Sequence, residues 1–369
     1  MTMTIKENVK DKIDPRAIPL ILLLTIIEFE LFTVARKVFL IAGRDSWLAA
    51  LLGGIFVTLG TYFLLRLMNR FPKQNFLQYI PQIWGKPIAL IIALGYFLFW
   101  GSFLTLLFKN TAEVNQVFFL EKTPLLIPIF LIAIGAVWLV TYGFVPIIRF
   151  IQIISPVFLI PILLAILLTL SEIEIRNFFP ILANGITPVL KGAVIYAGYF
   201  QGLEVILFLS PFLADTNKAF KPTLIGIGLL NMLAFVSITL VIGILGIKNT
   251  NEMLWPAFAM MSIIEIPGFP AERFELLLTV PLLIGVFVTI SVTLYLLSYG
   301  IIQVFKISHK KTVIYVMALI TILAIMLVPD FAWYIKFRGI HTYAAIIFIY
   351  FLPISTLTLA VLRKKGEYL

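Results

Sequence analysis

The chain has 369 residues, no cysteine and a net charge of +10, and 61% of it is hydrophobic. Soluble domains run at roughly 45–50% apolar, so a mean hydropathy of +1.07 excludes a water-soluble globular protein and places the chain in a lipid bilayer as an all-α polytopic membrane protein. Neither disulfide nor thiolate chemistry is available, and the two histidines, His309 and His341, fall far apart in expected loops, which argues against a histidine metal centre or catalytic triad.

Residues 1–16 are polar and basic, and the apolar run after them is too long for a signal-peptide core and lacks a small-residue cleavage site. Apolar windows and their polar breaks predict spans near 17–41, 47–67, 87–109, 124–142, 146–169, 186–213, 222–247, 275–300, 312–329 and 340–362. That makes about ten helices in one membrane domain over 1–369, with short basic tails at 1–16 and 363–369. Lysine and arginine concentrate in the tails and in alternate loops, as at Lys10, Arg70, Lys218, Lys310 and Lys364, whereas acids such as Asp45, Glu172, Glu252 and Asp330 fall in the other loops. This predicts cytoplasmic termini, and it reads the positive charge as a topology signal with no role in nucleic-acid binding. Between Lys248 and Glu272 the apolar stretch Met253 to Ile266 is too short to span, and suits an interfacial or re-entrant helix. Such a helix either caps an outward vestibule or lies passively on the surface.

Polar residues at bilayer depth mark candidate sites, because an acid there costs a few kcal/mol or more unless it is paired. The first span carries Thr25, Glu28, Phe29 and Glu30, with Arg36 and Lys37 beyond. Glu28 and Glu30 lie about 200° apart on a regular helix, so one of them points elsewhere or the helix is distorted. Arg36 and Lys37 also fit snorkelling to the interface. The third span holds Tyr96 and Trp100 in an aromatic stripe that matches packing as well as a binding wall. The sixth, Ile186 to Leu213, has a flaw halfway across: Gly198, Tyr199, Phe200, Gln201, Gly202 and Glu204. Glycine costs about 1 kcal/mol in a helix interior, and broken helices at the midplane are how many transporters build substrate sites. Gly198-x-x-x-Gly202 also matches a helix-packing face, which leaves Glu204 unexplained. Its expected roles are proton carrier, amine counter-ion or ion-pair partner of a lysine such as Lys191. The eighth span presents Phe287, Thr289, Ser291, Thr293 and Tyr295, whose hydroxyls commonly bond back to their own helix.

Gly226-x-Gly228 lacks the third glycine and the preceding strand of a nucleotide fingerprint, and the chain has no phosphate-binding loop, zincin motif or nucleophile elbow. Neither an enzyme nor a cofactor is expected.

Several segments together resemble the B-type subunit of spore-germination nutrient receptors (GerAB-like), a branch of the amino acid/polyamine/organocation transporter superfamily. They are Ala42-Gly43-Arg44-Asp45-Ser46-Trp47, Asn69-Arg70-Phe71-Pro72, Gly85-Lys86, Lys122-Thr123-Pro124, Arg149, Phe179-Pro180-Ile181-Leu182, Gly202-Leu203-Glu204, Ser210-Pro211-Phe212 and Glu272-Arg273-Phe274-Glu275. Their order holds over essentially the whole chain. The resemblance implies a LeuT-like five-plus-five inverted repeat with interrupted first and sixth helices. It also implies sensing of a small nutrient in the spore inner membrane, beside an A-type membrane subunit and a C-type lipoprotein. The chain departs from the pattern twice: no glycine or proline lies between Leu20 and Ile41, and Val280-Pro281 stands where the family tends to place tryptophan. The expected ligand set is Thr25, Glu28 and Phe29; Tyr96 and Trp100; Gly198, Tyr199, Phe200, Gln201, Gly202 and Glu204; and Phe287 and Ser291. A ligand carboxylate is expected at the N–H groups that follow Gly202. The alternative function is proton- or sodium-coupled amino-acid transport.

Overall fold

Apolar runs of this length fold as helices because the bilayer offers no water to backbone N–H and C=O groups, so each segment satisfies its own. A computed structural model describes residues 12–27, 29–118, 122–124, 126–253, 255–263 and 276–366. Its helices are α1 (Ile18–Ile26), α2 (Phe29–Ala42), α3 (Ser46–Arg70), α4 (Phe76–Trp84), α5 (Lys86–Phe118), α6 (Leu126–Val140), α7 (Phe144–Thr169) and α8 (Ile186–Gly198). There follow α9 (Ile206–Leu209, between 3-10 turns at Leu203–Val205 and Ser210–Phe212), α10 (Phe220–Glu252), α11 (Pro256–Ile263), α12 (Leu276–Phe305), α13 (Lys310–Ala324), α14 (Phe331–Ala345) and α15 (Leu352–Leu362). A π-helical turn at Ile346–Phe351 joins the last two. Among the described residues seven helices are long and apolar enough to cross a membrane, the pair α8 and α9 forms an eighth bent by 52°, and the shorter apolar helices Pro15–Ile26 and Leu126–Val140 complete the set of ten segments.

The expected all-α architecture holds, with two corrections to the spans. The tenth span begins at Phe331, not near 340, so His341 lies within a helix and is 5% exposed. Lys336, Arg338 and His341 read as loop because their polar groups were expected in water. Asp330 caps this helix by accepting the Trp333 N–H at 2.8 Å. The third span continues past Lys109 to Phe118, because Lys109 pairs with Glu113 at 2.9 Å one turn on. Thr111 and Asn115 likewise donate to carbonyls four residues back. The first span is interrupted, as the resemblance implies, although no glycine or proline marks the place: α1 ends at Ile26 and Ile27 is extended (φ −84°, ψ 98°).

Burial separates the centre from the lipid face. The most apolar stretch of α12 is 78% buried and that of α5 61%, against 28% for α7, α13 and the α14–α15 segment. The two broken segments pack beside α12, α5 and α3. At one end of the bundle a clasp joins the chain ahead of α1 to the end of the sixth segment: Ile13 N–H donates to Phe212 O at 2.9 Å, Ala214 N–H to Ile13 O at 3.0 Å, and Lys12 Nζ to Pro211 O at 2.8 Å. An even number of segments returns the chain to that end, where Arg70 Nε donates to Lys365 O at 2.6 Å. At the opposite end Arg44 donates to Phe179 O, and Asp45 accepts the Leu182 N–H at 3.0 Å.

Candidate functional site

The two breaks meet. Gly202 has φ +98°, and a Cβ there would lie 2.9 Å from the Thr25 carbonyl oxygen, so only glycine brings the unwound backbone of the sixth segment against the end of α1. From the other side, α12 fits Gly285 against the Ile27 carbonyl. One turn further along, Thr289 Oγ1 donates to Thr25 O at 3.0 Å and lies 2.9 Å from Gly285 O. The carbonyls that α1 leaves unpaired at its end are thereby met by a neighbouring helix.

Glu204, 2% exposed, sits in the first turn after the sixth-segment break. Its Oε1 accepts the Trp100 indole N–H at 3.1 Å, and its Oε2 accepts the Gly202 N–H at 2.9 Å. Both oxygens act as acceptors, and the carboxylate caps its own half-helix. Lys191, one of its expected partners, is exposed. Of the N–H groups that follow Gly202, expected to hold a ligand carboxylate, those of Leu203 and Val205 donate within the chain, to Phe200 O and Gly202 O, each at 3.2 Å. Gln201 turns toward α14, its Nε2 lying 2.8 Å from His341 Nδ1, while His341 Nε2 lies 3.0 Å from Phe99 O. Phe99 O only accepts, so Nε2 carries the proton, Nδ1 is the acceptor and the Gln201 NH2 donates to it. Gln201 Oε1 is left buried with no hydrogen-bond partner. Phe99 stacks on the imidazole at 4.6 Å.

Above the breaks, toward the end opposite the clasp, lies a narrow cavity open to solvent. Arg36 and Lys37 line it from α2, Tyr199 from the break, Trp255 from the start of α11, and Tyr334 and Arg338 from α14. The Arg338 guanidinium lies over the Tyr199 ring at 4.3 Å and donates to Thr342 Oγ1 at 3.1 Å. Thr342 in turn packs against Gly198, where an added Cβ would come within 2.7 Å of its Cγ2 and 2.8 Å of its carbonyl. The short helix expected between Met253 and Ile266 is α11 as far as it is described, and its leading residue Trp255 forms part of the cavity wall.

Of the expected site residues, Thr25, Gly198, Tyr199, Gln201, Gly202, Glu204 and Trp100 come together at this junction. Phe200 is buried beside them and packs on Tyr196 at 5.1 Å. Tyr96 is one turn from Trp100, and its hydroxyl donates to Phe348 O at 2.6 Å. Phe287 and Ser291 lie elsewhere: Phe287 meets Phe150 edge-on at 5.4 Å, and Ser291 bonds back to Phe287 O at 2.7 Å. Of the hydroxyls on α12 it is Thr289 that reaches the break. Glu28 lies outside the described residues, as do the side chains of Phe29 and Glu30. Sequence reasoning missed Arg338, His341 and Thr342. Their signal was the spacing i, i+3, i+4, which puts three polar side chains on one helical face.

Two adjacent helix breaks in a bundle of ten segments, with a buried carboxylate and an outward cavity over them, define a membrane protein of the LeuT-like transporter fold. Solved structures agree. A nucleobase-cation-symport-1 family transporter, Mhp1, in a closed conformation with bromovinylhydantoin bound, aligns with a TM-score of 0.68 at 18% identity, over 92% of this chain and 78% of its own. MhsT in complex with L-phenylalanine aligns with a TM-score of 0.69 at 14% identity, over 94% and 88%. A family model described as "spore germination protein" matches residues 12–332. Among curated relatives, spore germination protein YndE of Bacillus subtilis is 31% identical over 88% of this chain and 89% of its own length. Spore germination protein KB of the same organism is 25% identical over 88% of each. The chain belongs to the spore germination protein family.

Proposed function

We propose that this protein is the nutrient-binding membrane subunit of a germinant receptor. A small nutrient such as an amino acid binds where the first and sixth segments are broken, and its binding triggers germination. The observation that carries the reading is the contact of the two breaks at Gly202 and Thr25 beneath an outward cavity. Because the N–H groups of Gly202, Leu203 and Val205 are bonded within the chain, the ligand carboxylate goes to Arg36 and Arg338 at the cavity wall, and Gln201 Oε1 supplies the acceptor for its ammonium group. Binding pulls on Tyr199 through Arg338, so occupancy reaches the hinge. The subunit works in the spore inner membrane with cytoplasmic termini, beside an A-type membrane subunit and a C-type lipoprotein. The similarity to MhsT, solved with L-phenylalanine, supports an amino-acid-sized site. The test is binding of a panel of labelled amino acids to the purified protein. Saturable binding that Arg338→Gln weakens is expected, and no binding across the panel would overturn the reading.

A second reading, coupled amino-acid transport, is favoured by the likeness to a cation-symport transporter. Concentrative uptake by proteoliposomes holding this protein alone would establish it, and binding without flux supports the receptor.

A further inference from the structure

A second cavity opens at the clasp end of the bundle between the α6–α7 turn, the last turns of α12 and the start of α13. Phe144, which begins α7, stacks on Tyr295 of its wall at 4.9 Å and packs on Phe212 at the same distance, so the cavity is adjacent to the clasp yet separate from the junction of the breaks. Two lysines, Lys310 and Lys311, line it, and no acidic residue does. Both stand in the first turn of α13, a 15-residue helix whose N-cap, His309, makes no side-chain cap bond. Cations at a helix N-terminus oppose the macrodipole, and the first N–H groups there lack intrahelical partners. Independently, Ser298 on the same wall is 1% exposed, with a hydroxyl that is buried and unpartnered. The Lys310 N–H donates to Ser308 O at 3.0 Å, which leaves the positive end of α13, two ammonium groups and an unpartnered hydroxyl around one hollow as the complement of a phosphate.

The position points to where such a phosphate comes from. Tyr142, on the rim, is 58% exposed, and Trp138 and Tyr315 nearby are 63% and 53% exposed, as aromatic residues are at the membrane–water interface. The outer face of α13 is lipid-facing, with Leu319 and Leu323 more than half exposed. We propose that this cavity binds a phosphate anion at the membrane surface, through Lys310, Lys311 and the N-terminus of α13. Two sources share that chemistry, a phospholipid headgroup whose acyl chains lie along α6 and α13, and a soluble phosphate.

The experiment is thermal unfolding of the purified full chain, followed by tryptophan fluorescence. Mixed micelles carry phosphatidylglycerol or phosphatidylcholine, and parallel samples carry inorganic phosphate or chloride at equal ionic strength. Stabilisation by phosphatidylglycerol over phosphatidylcholine is expected. The concentration needed should rise roughly five-fold per lysine replaced in Lys310→Gln and Lys310→Gln/Lys311→Gln, and should be unchanged in Lys364→Gln/Lys365→Gln. Stabilisation by inorganic phosphate to the same extent, with the same lysine dependence, assigns the site to a soluble phosphate. Stabilisation by the lipid alone assigns it to the headgroup. Equal effects of phosphatidylglycerol and phosphatidylcholine with none of phosphate, or an undiminished effect in the double variant, would overturn the proposal. Should the double variant not fold, photo-cross-linking of the wild type with diazirine-tailed phosphatidylglycerol decides the headgroup arm. Labelled peptides from 138–143 or 310–316 support it, and labelling confined to other helices overturns it.

Discussion

The sixth segment breaks where its sequence is weakest, between Gly198 and Gly202, whereas the first breaks at Ile27, the end of an apolar run without glycine or proline from Leu20 to the residue before Glu28. Gly202 adopts φ +98°, a conformation that favours glycine, so that break is specified locally. Ile27, at φ −84° and ψ 98°, is in ordinary extended space open to any residue. Its break is held from outside, by Gly285 seated against the Ile27 carbonyl and Thr289 bonded to that of Thr25. One hinge is written in its own residues and the other in those of a partner helix some 260 positions along the chain.

Five substitutions bear on that contrast. The largest effect is expected for Gly285→Leu, which drives a side chain into the Ile27 carbonyl and costs at least about 3 kcal/mol. The protein should be scarcely recoverable from membranes on immunoblot, though neither break is mutated. Wild-type abundance would show that α12 does not hold the first hinge. Gly202→Ala follows. Strain at positive φ costs about 1–3 kcal/mol, and the new methyl group crowds the Thr25 carbonyl. The protein should reach the membrane, and nutrient-triggered germination should fail at concentrations that saturate the wild type.

Glu204→Gln keeps the shape but replaces one acceptor by an NH2. Trp100 and Gly202 both donate here, so one donor must face another, at about 1–3 kcal/mol. A lower unfolding temperature of the purified protein is expected together with a right-shifted germination dose response. Unchanged values for both would mean that the carboxylate is dispensable as a double acceptor. The smallest effect is Thr289→Val, which removes one buried hydrogen bond at nearly constant volume, about 1 kcal/mol. The accompanying Thr25→Val leaves the carbonyl in place, since Thr25 Oγ1 bonds back to Ile21 O at 2.5 Å, but the two residues are in contact, so the pair should couple by about 0.5 kcal/mol or more. Chemical denaturation of the single and double variants measures this.

The same contrast explains what the sequence revealed. Segment count, helical class and the flaw at Gly198 to Glu204 were readable because hydropathy and glycine are local signals. The break at Ile27 was implied by the family resemblance and allowed by Glu28 and Glu30 on opposite faces, but no glycine or proline marked its place, since what holds it sits on α12. The start of α14 was hidden because Arg338, His341 and Lys336 read as solvated, whereas folding supplies Tyr199, Thr342, Gln201 and Phe99 O to the first two and leaves Lys336 over the Trp333 ring at 5.0 Å. Glu204 was recognised as a polar candidate, but its partners on α5 and in its own backbone could not be assigned without the fold.

The clasp of Ile13 to Phe212 and Ala214 gears the two hinges together. With the chain ahead of the first segment fastened to the end of the sixth, the two broken segments are joined twice, at the clasp and where Gly202 meets Thr25. Glu204 further ties the sixth segment to Trp100 on α5. A displacement of one arm is therefore expected to carry the other with it, and Lys12, outside the bundle core, is where a pull on the chain would enter.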